Sequence, residues 1–303
     1  MKKIVVTGGA GFFGSTLVPE LLKAGYEVHV VDNLSAGKSE HVPKEATLHQ
    51  IDIRDEDALN KLFLSLGDIH GVFHLAALPR VQFSIDHPKE AHSVNIDGLL
   101  NVFNASTKAK ARRLVYSASS SAYGNQETLP LHEGLVPNPM SPYAAQKYYG
   151  EIMAKNYALH YALPTVSLRY FNLFGPNYDP NGAYPQAIGL FLHLKSQGKS
   201  LTVTGDGLQT RDCVYVTDVA RANILALESD KVGKGEVINI GSGINPTILD
   251  IAKEIGGEVV HIPPRIEPHD TLADITLAKN LLGWEPTVDF KKGITELKKL
   301  AGL

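Results

Sequence analysis

The sequence predicts an α/β fold with a doubly wound parallel sheet and a smaller C-terminal lobe that binds a substrate. The chain has 303 residues, which corresponds to about two domains or one large α/β unit. Short β-branched segments alternate with helical periodicity as far as Arg169, the pattern of a parallel sheet covered on both faces. Beyond Arg169, a segment rich in Pro, Gly and Asn interrupts this alternation. We therefore divide the chain into lobes at 1–170 and 171–303.

The elements of the first lobe follow from its hydrophobic periodicity. Clusters of β-branched residues predict strands at 3–7, 28–31, 48–51, 72–75, 114–116 and 165–169. Apolar residues at helical spacing predict helices at 12–24, 55–66, 88–108 and 141–161. Gly25 is a typical stop for the first of these helices, and Ser141 and Pro142 suit the start of the last.

The elements of the second lobe are shorter and less regular. Residues 171–186 and 261–272 are predicted loops because they are rich in turn-forming residues. Strands are predicted at 213–216 and 237–240, and helices at 185–197, 219–228, 248–255, 276–282 and 290–302. Parts of this lobe are expected to return to the first lobe.

Composition and charge exclude several classes of protein. With 29 Lys and Arg against 32 Asp and Glu, the net charge of −3 argues against nucleic-acid polymers and membrane surfaces as partners. Cys213 is the single cysteine, so an internal disulfide cannot form, and we expect no metal. No apolar run reaches the roughly 18 residues of a membrane span, and the first one is too short for a signal peptide. We expect a cytoplasmic enzyme or binding protein.

A glycine-rich loop joins the first predicted strand to the first predicted helix. It reads Thr7-Gly8-Gly9-Ala10-Gly11-Phe12-Phe13-Gly14, with the spacing G-x-x-G-x-x-G. In such loops the first glycine permits the tight turn, the second lets the backbone approach a pyrophosphate, and the third allows close helix–strand packing. Because the helix N-terminus also favours phosphate groups, the loop predicts a dinucleotide site.

The choice of dinucleotide follows from Asp32, which comes directly after the second predicted strand. A carboxylate at this position can bind both hydroxyls of the adenosine ribose and repels a 2′-phosphate. The sequence therefore predicts NAD rather than NADP as the cofactor. Asp52 and Ile53, after the third predicted strand, are candidate neighbours of the adenine ring.

A phenol, an ammonium and several hydroxyls make up a second candidate site. Tyr143 and Lys147 are spaced i and i+4, so they share one face of a helix. The ammonium stabilises a phenolate and lowers its pKa from the ordinary value of about 10. The run Ser117-Ala118-Ser119-Ser120-Ser121 follows a predicted strand, at the edge of the sheet where ligands bind. A hydroxyl there can form a hydrogen bond with a substrate oxygen.

Together these motifs resemble the extended branch of the short-chain dehydrogenase/reductase superfamily, whose nucleotide lobe is a Rossmann-type sheet. The resemblance includes His74-Leu75-Ala76-Ala77 and Arg169-Tyr170-Phe171-Asn172, and it covers nearly the whole chain. It implies that Ser119, Tyr143 and Lys147 are catalytic. The implied NAD contacts are Gly8, Gly11, Phe12, Phe13, Gly14, Asp32, Asn33, Ser35, Asp52, Ile53, Leu75, Ala76, Ala77, Asn95, Ser117, Tyr143, Lys147 and Tyr170.

Within the superfamily, the chain looks most like the nucleotide-sugar 4-epimerases of the UDP-glucose and UDP-GlcNAc type. Related 4,6-dehydratases carry an Asp-Glu pair at the positions of Ser120 and Ser121, and UDP-glucuronate decarboxylases carry a Glu at that of Ser121. An epimerase needs neither acid. The segment from Phe174 to Tyr184 is similar to a loop of epimerases that act on UDP-N-acetylhexosamines.

The resemblance also implies a set of contacts with a UDP-sugar. These are Ser119, Asn172, Arg211, Arg265, Asp270 and Thr271. Arg211 and Arg265 match arginines that hold the diphosphate, and Arg pairs with phosphate oxygens in bidentate fashion. Thr271 takes the place of a bulky Tyr in epimerases specific for plain hexoses. This small residue predicts room for a 2-acetamido group.

Several alternatives stay open at this point. A UDP-sugar decarboxylase or dehydratase shares most of the motifs. A threonine-type dehydrogenase would share Ser, Tyr and Lys but would not need Arg211 and Arg265. A cofactor-sensing regulator would often lose the Tyr or the Lys. The sugar could be a hexose, an N-acetylhexosamine or a uronic acid. By resemblance, the helices near 88–108 and 141–161 are expected to form a homodimer interface.

Overall fold

The computed structural model describes residues 1–178, 187–264 and 267–303. Its strands are β1 (Lys3–Thr7), β2 (Glu27–Val31), β3 (Thr47–His49), β4 (Ile69–His74), β5 (Leu114–Ser119), β6 (Thr165–Tyr170), β7 (Asn172–Phe174), β8 (Leu201–Thr204), β9 (Cys213–Tyr215), β10 (Lys234–Ile240) and β11 (Val259–Ile262). Its helices are α1 (Gly14–Lys23), α2 (Glu56–Leu66), α3 (Val81–Asp86), α4 (Pro88–His92), α5 (Leu99–Lys108), α6 (Pro142–His160), α7 (Ala187–Ser196), α8 (Val216–Glu228), α9 (Ile248–Ile255), α10 (Thr276–Leu282) and α11 (Phe290–Leu300).

Seven of the strands form one parallel sheet. Their order is β3-β2-β1-β4-β5-β6-β10. The connections reverse direction between β1 and β4, and this is where open α/β sheets bind ligands. The arrangement confirms the predicted doubly wound, Rossmann-type sheet.

Strand β1 shows how the two faces of the sheet are covered. Ile4 and Val6 belong to one apolar core with α1 and α8, and Val5 belongs to a second with α2, α5 and α6. Successive residues of a strand face opposite sides, so an apolar run of this kind is expected only where both faces are buried. The sheet is therefore a packed platform, and its strand ends hold the loops that follow in fixed positions.

The remaining strands form two small parallel pairs, β7 with β9 and β8 with β11. Together with α7, α9 and α11 they enclose a third core, which contains Phe191, Leu201 and Ile251. Strand β10, although late in the chain, lies beside β6 in the main sheet. The second part of the chain therefore contributes to both units, and the lobe boundary at residue 170 stays a prediction.

Three strands were missed by the sequence prediction. β7, β8 and β11 have only three or four residues each, which is too short for a pattern of period two to be recognised. β7 lies within the predicted loop 171–186, and β11 ends inside the predicted loop 261–272. These assignments were wrong because each strand depends on a partner far away in the sequence.

The predicted helix 88–108 is confirmed as a continuous helical segment, but it is not α-helical throughout. A π-helical turn (Ser93–Gly98) separates α4 from α5. Its buried Asn95 accepts a hydrogen bond from Leu78 N at 2.8 Å and donates to Leu78 O at 3.2 Å. The turn therefore fastens the loop that follows β4, which periodicity alone does not reveal.

Helix α6 has 19 residues, and it carries Tyr143 near its start. Lys147 and Glu151 on this helix are buried in spite of their charge.

In the segments that the structure describes, no helix combines the length and the apolar character needed to cross a membrane.

Candidate active site

One cavity of about 980 Å³ opens at the carboxyl ends of β1, β2, β4, β5 and β6. Its wall includes the glycine loop, residues that follow β2 and β4, the serine cluster after β5 and the start of α6. Because parallel strands end at the same edge of a sheet, segments from all parts of the first 170 residues meet here. The two candidate sites of the sequence thus lie on one cavity.

The glycine loop adopts a backbone that other residues would strain. Gly8 has a φ of +74°, and a Cβ atom at this position would lie 2.6 Å from Ala76 N. A Cβ at Gly14 would lie 2.5 Å from the backbone of Gly9. Gly14 therefore packs against the loop itself, whereas Gly9, whose Cβ would lie 2.8 Å from the Val30 side chain, allows the close approach to β2. The prediction that Gly14 allows close packing of the helix on the strand was therefore wrong, because Gly9 has this role.

Asp32 organises the end of β2. Its Oδ2 accepts a hydrogen bond from Ala10 N at 3.0 Å, and its Oδ1 accepts one from Leu34 N at 2.8 Å. A carboxylate has about four acceptor sites, so each oxygen retains capacity for a further donor. Asp32 lines the cavity with Gly8 and Gly11. It is placed to accept bonds from a ribose while it holds the glycine loop.

The residues expected around the adenine ring are partly bonded to one another. Asn33 Nδ2 donates to Asp52 Oδ2 at 2.9 Å, and Arg54 donates to both carboxylate oxygens of Asp52, at 2.9 and 2.7 Å. The hydrogen bonds from Arg54 hold the pKa of Asp52 well below its usual range. Ser35 N donates to Asn33 Oδ1, and Ile53 is buried nearby on the cavity wall.

The other expected cofactor contacts mostly lie on the same wall. Those that line the cavity are Phe12, Phe13, Leu75, Ala76, Ala77, Ser117 and Tyr170. Ser117 Oγ donates to Tyr170 Oη at 3.1 Å, and Tyr170 in turn donates to Asn223. Asn95 does not line the cavity, and its contact with the cofactor stays a prediction. Its amide is engaged by the Leu78 backbone and, at 2.7 Å, by Gln146 Oε1. It supports the wall from behind.

Tyr143 lies at the start of α6, where two hydroxyls fix the backbone. Ser141 caps the helix by accepting from Ala144 N at 3.1 Å, and Ser84 Oγ accepts from Tyr143 N at 3.1 Å. Burial raises the pKa of the Tyr143 phenol above its ordinary value, and the nearby Ser119 side chain opposes this shift. Ser119 also accepts from Ser121 Oγ at 2.9 Å. The hydroxyls of Ser119 and Ser121 thus form one hydrogen-bonded pair, which lines the cavity together with Tyr143.

Lys147 lies one helical turn beyond Tyr143. Its Nζ donates to Ser117 O at 2.8 Å and sits 5.2 Å from the centre of the Tyr116 ring. Burial lowers the pKa of this ammonium from 10.5 to about 8, and the charge of Glu151 opposes the shift. Ser119, Tyr143 and Lys147 therefore meet as the sequence predicts. Such a group can transfer a proton to or from a substrate oxygen and stabilise charge there.

His74 lies behind this group, at the end of β4. It is buried, its Nδ1 is 2.7 Å from Thr7 Oγ1, and its ring stacks against Tyr116. Burial, together with the charge of Lys147, lowers the pKa of His74 to about 3. Its imidazole is therefore neutral at ordinary pH and packs between the strands.

The expected substrate contacts divide into two groups. Asn172, Arg211 and Thr271 line the cavity. Asp270 does not line the cavity, and its contact with the substrate stays a prediction. Its Oδ1 accepts from Thr210 N at 3.2 Å and from Thr210 Oγ1 at 2.7 Å, so it fixes the backbone beside Arg211. Arg265 lies outside the described residues.

Arg211 is held by the segment opposite to it. Its Nη1 donates to Thr210 O at 2.7 Å and to His269 O at 2.9 Å, and its Nη2 forms an ion pair with Glu267 at 3.1 Å. Glu267 also lines the cavity. Sequence reasoning missed Glu267 as a residue of the site. Its position two residues after Arg265, a predicted substrate contact, was the available signal.

Sequence reasoning also missed Arg80, on the loop after β4. This half-buried residue lines the cavity, and it forms no side-chain hydrogen bond or ion pair with the residues that the structure describes. Ser84 N donates to Arg80 O at 3.0 Å, and Ser84 Oγ accepts from Tyr143 N. Arg80 therefore lies one turn of α3 from the residue that touches Tyr143, and its position directly after the His74–Ala77 motif was the available signal.

Comparison with known proteins finds a family match and similar solved structures. Residues 4–241 match the model of the NAD dependent epimerase/dehydratase family. The chain is similar to the UDP-glucose 4-epimerase of Thermotoga maritima, solved with UDP-glucose, with 38% identity, coverage of 99% and 97% of the two chains and a TM-score of 0.93.

Two further proteins show how varied the similar enzymes are. One is the UDP-N-acetylglucosamine 4-epimerase of Methanobrevibacter ruminantium M1, solved with UDP-N-acetylmuramic acid, at 36% identity, coverage of 100% and 99% and a TM-score of 0.92. The other is the UDP-N-acetyl-alpha-D-glucosaminuronate decarboxylase of Bacillus cytotoxicus, at 34% identity in an alignment of 317 positions that covers 97% of this chain and 96% of that one.

Proposed function

Because the chain belongs to the NAD dependent epimerase/dehydratase family, we propose that it interconverts the C4 epimers of UDP-hexoses through a transient 4-keto sugar. One observation carries the proposal. Ser119, Tyr143 and Lys147 share a cavity with the glycine loop and with Arg211, while serines occupy the positions 120 and 121. The cavity thus combines a proton-transfer group, a dinucleotide loop and a cation for a diphosphate.

The residues of the cavity fit NAD. Gly8 and Gly11 line the cavity, α1 begins at Gly14 on the cavity wall, and Asp32 has acceptor capacity for ribose hydroxyls. A 2′-phosphate would meet the Asp32 carboxylate, which favours NAD over NADP. When bound, NAD supplies the hydride acceptor and donor of a reaction that is redox-neutral overall.

The proton transfers are assigned to Tyr143. As phenolate it takes the proton of the sugar 4-hydroxyl when this carbon is oxidised, and it returns the proton when the carbon is reduced. Ser119 donates a hydrogen bond to the same sugar oxygen and stabilises its developing charge. Burial raises the pKa of Tyr143, so the phenolate needs a nearby cation. Lys147, one helical turn away, supplies it.

Inversion at C4 requires the sugar to present its other face while the nucleotide stays bound. Strong contacts are therefore expected at the diphosphate and few at the sugar. We assign the diphosphate contacts to Arg211 and Arg265, with Asn172 beside them. The small side chains of Ser119, Ser120 and Ser121 leave room for the rotation.

The alternatives differ from this proposal in definite residues. A decarboxylase or a 4,6-dehydratase of the related types needs a carboxyl group where Ser121, or Ser120 and Ser121, stand. In this chain Ser121 Oγ donates to Ser119 at 2.9 Å, so it supports the hydroxyl of the proton-transfer group. A threonine-type dehydrogenase would leave the cation Arg211 on the cavity wall without a role.

The proposal is tested by incubating the NAD-loaded protein separately with UDP-glucose, UDP-GlcNAc and UDP-glucuronate and resolving the C4 epimers. UDP-glucuronate is included because Arg80 on the cavity wall could pair with a sugar carboxylate. Conversion of at least one substrate to its C4 epimer is expected. Release of CO₂ from the uronate, or of NADH with threonine, without any epimer would replace the proposal by one of the alternatives.

Thr271 provides a test of the sugar. It is 8% exposed on the cavity wall, and its Oγ1 accepts from Asp212 N at 3.2 Å. Thr271→Tyr is expected to fill the space for the 2-acetamido group and to lower kcat/KM for UDP-GlcNAc about 10- to 200-fold. Activity on UDP-glucose should change by less than about threefold. Thr271→Val, which replaces only the hydroxyl with a methyl group, is the control. Equal losses of activity on both sugars in Thr271→Tyr would contradict the assignment.

Glu267 should compete with the substrate for Arg211. The ion pair is half exposed, and such pairs contribute up to about 1 kcal/mol. Glu267→Gln is therefore expected to tighten UDP binding about 2- to 5-fold in calorimetric titrations. Glu285→Gln, which breaks the exposed pair with Lys279, is the matched control. Weaker UDP binding by Glu267→Gln would instead assign Glu267 a role in orienting Arg211.

We also propose that the protein forms a homodimer. The family resemblance implies that the helices within 88–108 and 141–161 form its interface. Helix α6 carries apolar side chains that are exposed in the single chain, such as Ile152 at 42% and Leu159 at 72%. Burial of such side chains is what an interface of packed helices requires.

A further inference from the structure

A buried ion pair lies on α6 outside the cavity. Arg169 of β6 donates to both oxygens of Glu151, from Nε at 2.8 Å and from Nη2 at 2.6 Å. Both residues are 3% exposed. Neither is part of the cavity wall formed by the described residues. The pair therefore contacts neither cofactor nor substrate in the proposed reaction.

Stability alone is a weak reason for such a pair. Burying two charges costs solvation free energy, and their mutual attraction barely offsets this cost. Well-packed apolar residues can therefore often replace such a pair without loss of stability. The pair is also incompletely satisfied, because Arg169 Nη1 is buried without a hydrogen-bond partner among the described residues. The guanidinium of Arg169 also lies over the Tyr123 ring, with its Cζ atom 4.5 Å from the ring centre.

The position of the pair relative to Lys147 suggests a function. Glu151 is one helical turn after Lys147, and Lys147 is one turn after Tyr143, so all three lie along one face of α6. Arg169 approaches Glu151 from β6, on the neighbouring layer. The pair is thus an oriented dipole with its negative member, Glu151, on the same helix face as Lys147.

We propose that Glu151 and Arg169 are positioning residues whose ion pair keeps Lys147 in its charged form beside Tyr143. Lys147 is desolvated, and among the described residues its ammonium makes one hydrogen bond, to Ser117 O. A fixed negative charge one turn away offsets the lost solvation. Arg169 keeps Glu151 ionised and in one orientation. The inference rests on the proposed function, in which the Lys147 cation stabilises the Tyr143 phenolate.

The other ionisable groups around Lys147 do not supply this negative charge. From β4 it faces His74, whose low pKa of about 3 keeps it neutral. From β5 it faces Tyr116, a buried phenol whose pKa is raised far above its usual value by burial. On α6 it faces Tyr143, the group that it serves. Glu151 is the carboxylate that opposes the lowering of the Lys147 pKa to about 8.

The sign of the effect follows from this geometry. Glu151→Gln removes the negative charge, so the pKa of Lys147 should fall below its present value by about one unit. Lys147 then loses its proton at lower pH. The alkaline limb of the pH–kcat profile should therefore shift by about one pH unit toward lower pH. Arg169→Met should act in the same direction, because a buried Glu151 without its partner takes up a proton.

The experiment compares four NAD-loaded proteins: wild type, Glu151→Gln, Arg169→Met and the double variant. The pKa of Lys147 is read directly by NMR of protein labelled at the lysine ε-carbon, with Lys147→Met identifying the signal. The pH–kcat profile and the thermal midpoint are measured alongside. Glu228→Gln, which removes a carboxylate bonded to His70 and Arg112 away from the cavity wall, is the matched control and should leave the Lys147 pKa unchanged.

The double variant separates a positioning role from a structural one. Removal of both charges should restore much of the stability that either single variant loses, whereas the lowered Lys147 pKa and the shifted limb should persist. If the pKa and the limb return to wild-type values together with the stability, the pair is only structural and the proposal is wrong. Because the NMR titration does not need turnover, it decides this point even if no UDP-sugar is epimerised.

Discussion

Tyr143→Phe is expected to lower kcat by about 10³-fold or more on every UDP-hexose that the enzyme accepts. General acid–base groups contribute about 10²- to 10⁴-fold, and this variant removes the only group assigned to the proton of the 4-hydroxyl. The ring stays in place, and the backbone bonds of Ser141 and Ser84 do not depend on the phenolic oxygen. The fold and the bound NAD should therefore persist, as measured by circular dichroism and by the cofactor content of the purified protein.

The matched control for this experiment is Tyr148→Phe. Tyr148 is on the same helix, but it is not part of the described cavity wall, so its variant should turn over at the wild-type rate. Activity of Tyr143→Phe within about tenfold of wild type would show that another group transfers the proton.

Arg211→Met is expected to raise KM for UDP-sugars about 10- to 100-fold. A hydrogen bond that involves a charged group contributes about 1.5–3 kcal/mol, and paired bonds between Arg and phosphate are among the stronger ones. Arg211 also secures the nucleotide while the keto sugar turns, so the variant should release 4-keto sugar during turnover. Steady-state kinetics give KM, and reduction of the quenched mixture with borodeuteride followed by mass spectrometry detects the released ketone.

Arg112→Met serves as the control for loss of a cation, since Arg112 pairs with Glu228 away from the cavity wall. An unchanged KM and no released ketone in Arg211→Met would mean that Arg211 only holds the segment of Glu267 and His269. The diphosphate would then have to be bound elsewhere in the cavity.

The parts of the candidate site that lie together as the sequence predicts are those set by local structure. The glycine loop, Asp32 and the pair Tyr143 and Lys147 depend on one strand end or one helix face, so their spacing along the chain fixes their spacing in space. The doubly wound parallel sheet was predicted for a similar reason, because strands that alternate with helices form right-handed strand–helix–strand units.

The parts that the sequence could not predict depend on contacts between distant segments. Asn95 bonds to Leu78 and Gln146 across a π-helical turn, and Asp270 bonds to Thr210, 60 residues away. Both have the residue type of a ligand contact, yet in the structure their polar atoms bond to other parts of the protein. The pair of Glu151 and Arg169 was missed for the opposite reason, since neither residue reaches the cavity and periodicity does not tell a buried charge from an exposed one.

The central claim, that a 4-keto sugar forms and is reduced within one cavity, is tested most directly by isotope transfer. UDP-GlcNAc or UDP-glucose deuterated at C4 is converted by the NAD-loaded protein in ordinary water, and each product is examined by NMR and mass spectrometry. We predict a C4-inverted product that keeps its deuterium at C4, because the hydride leaves and returns without exchange. An inverted product that has lost its deuterium to solvent hydrogen would contradict the mechanism, and labelled substrates recovered without inversion would contradict the function.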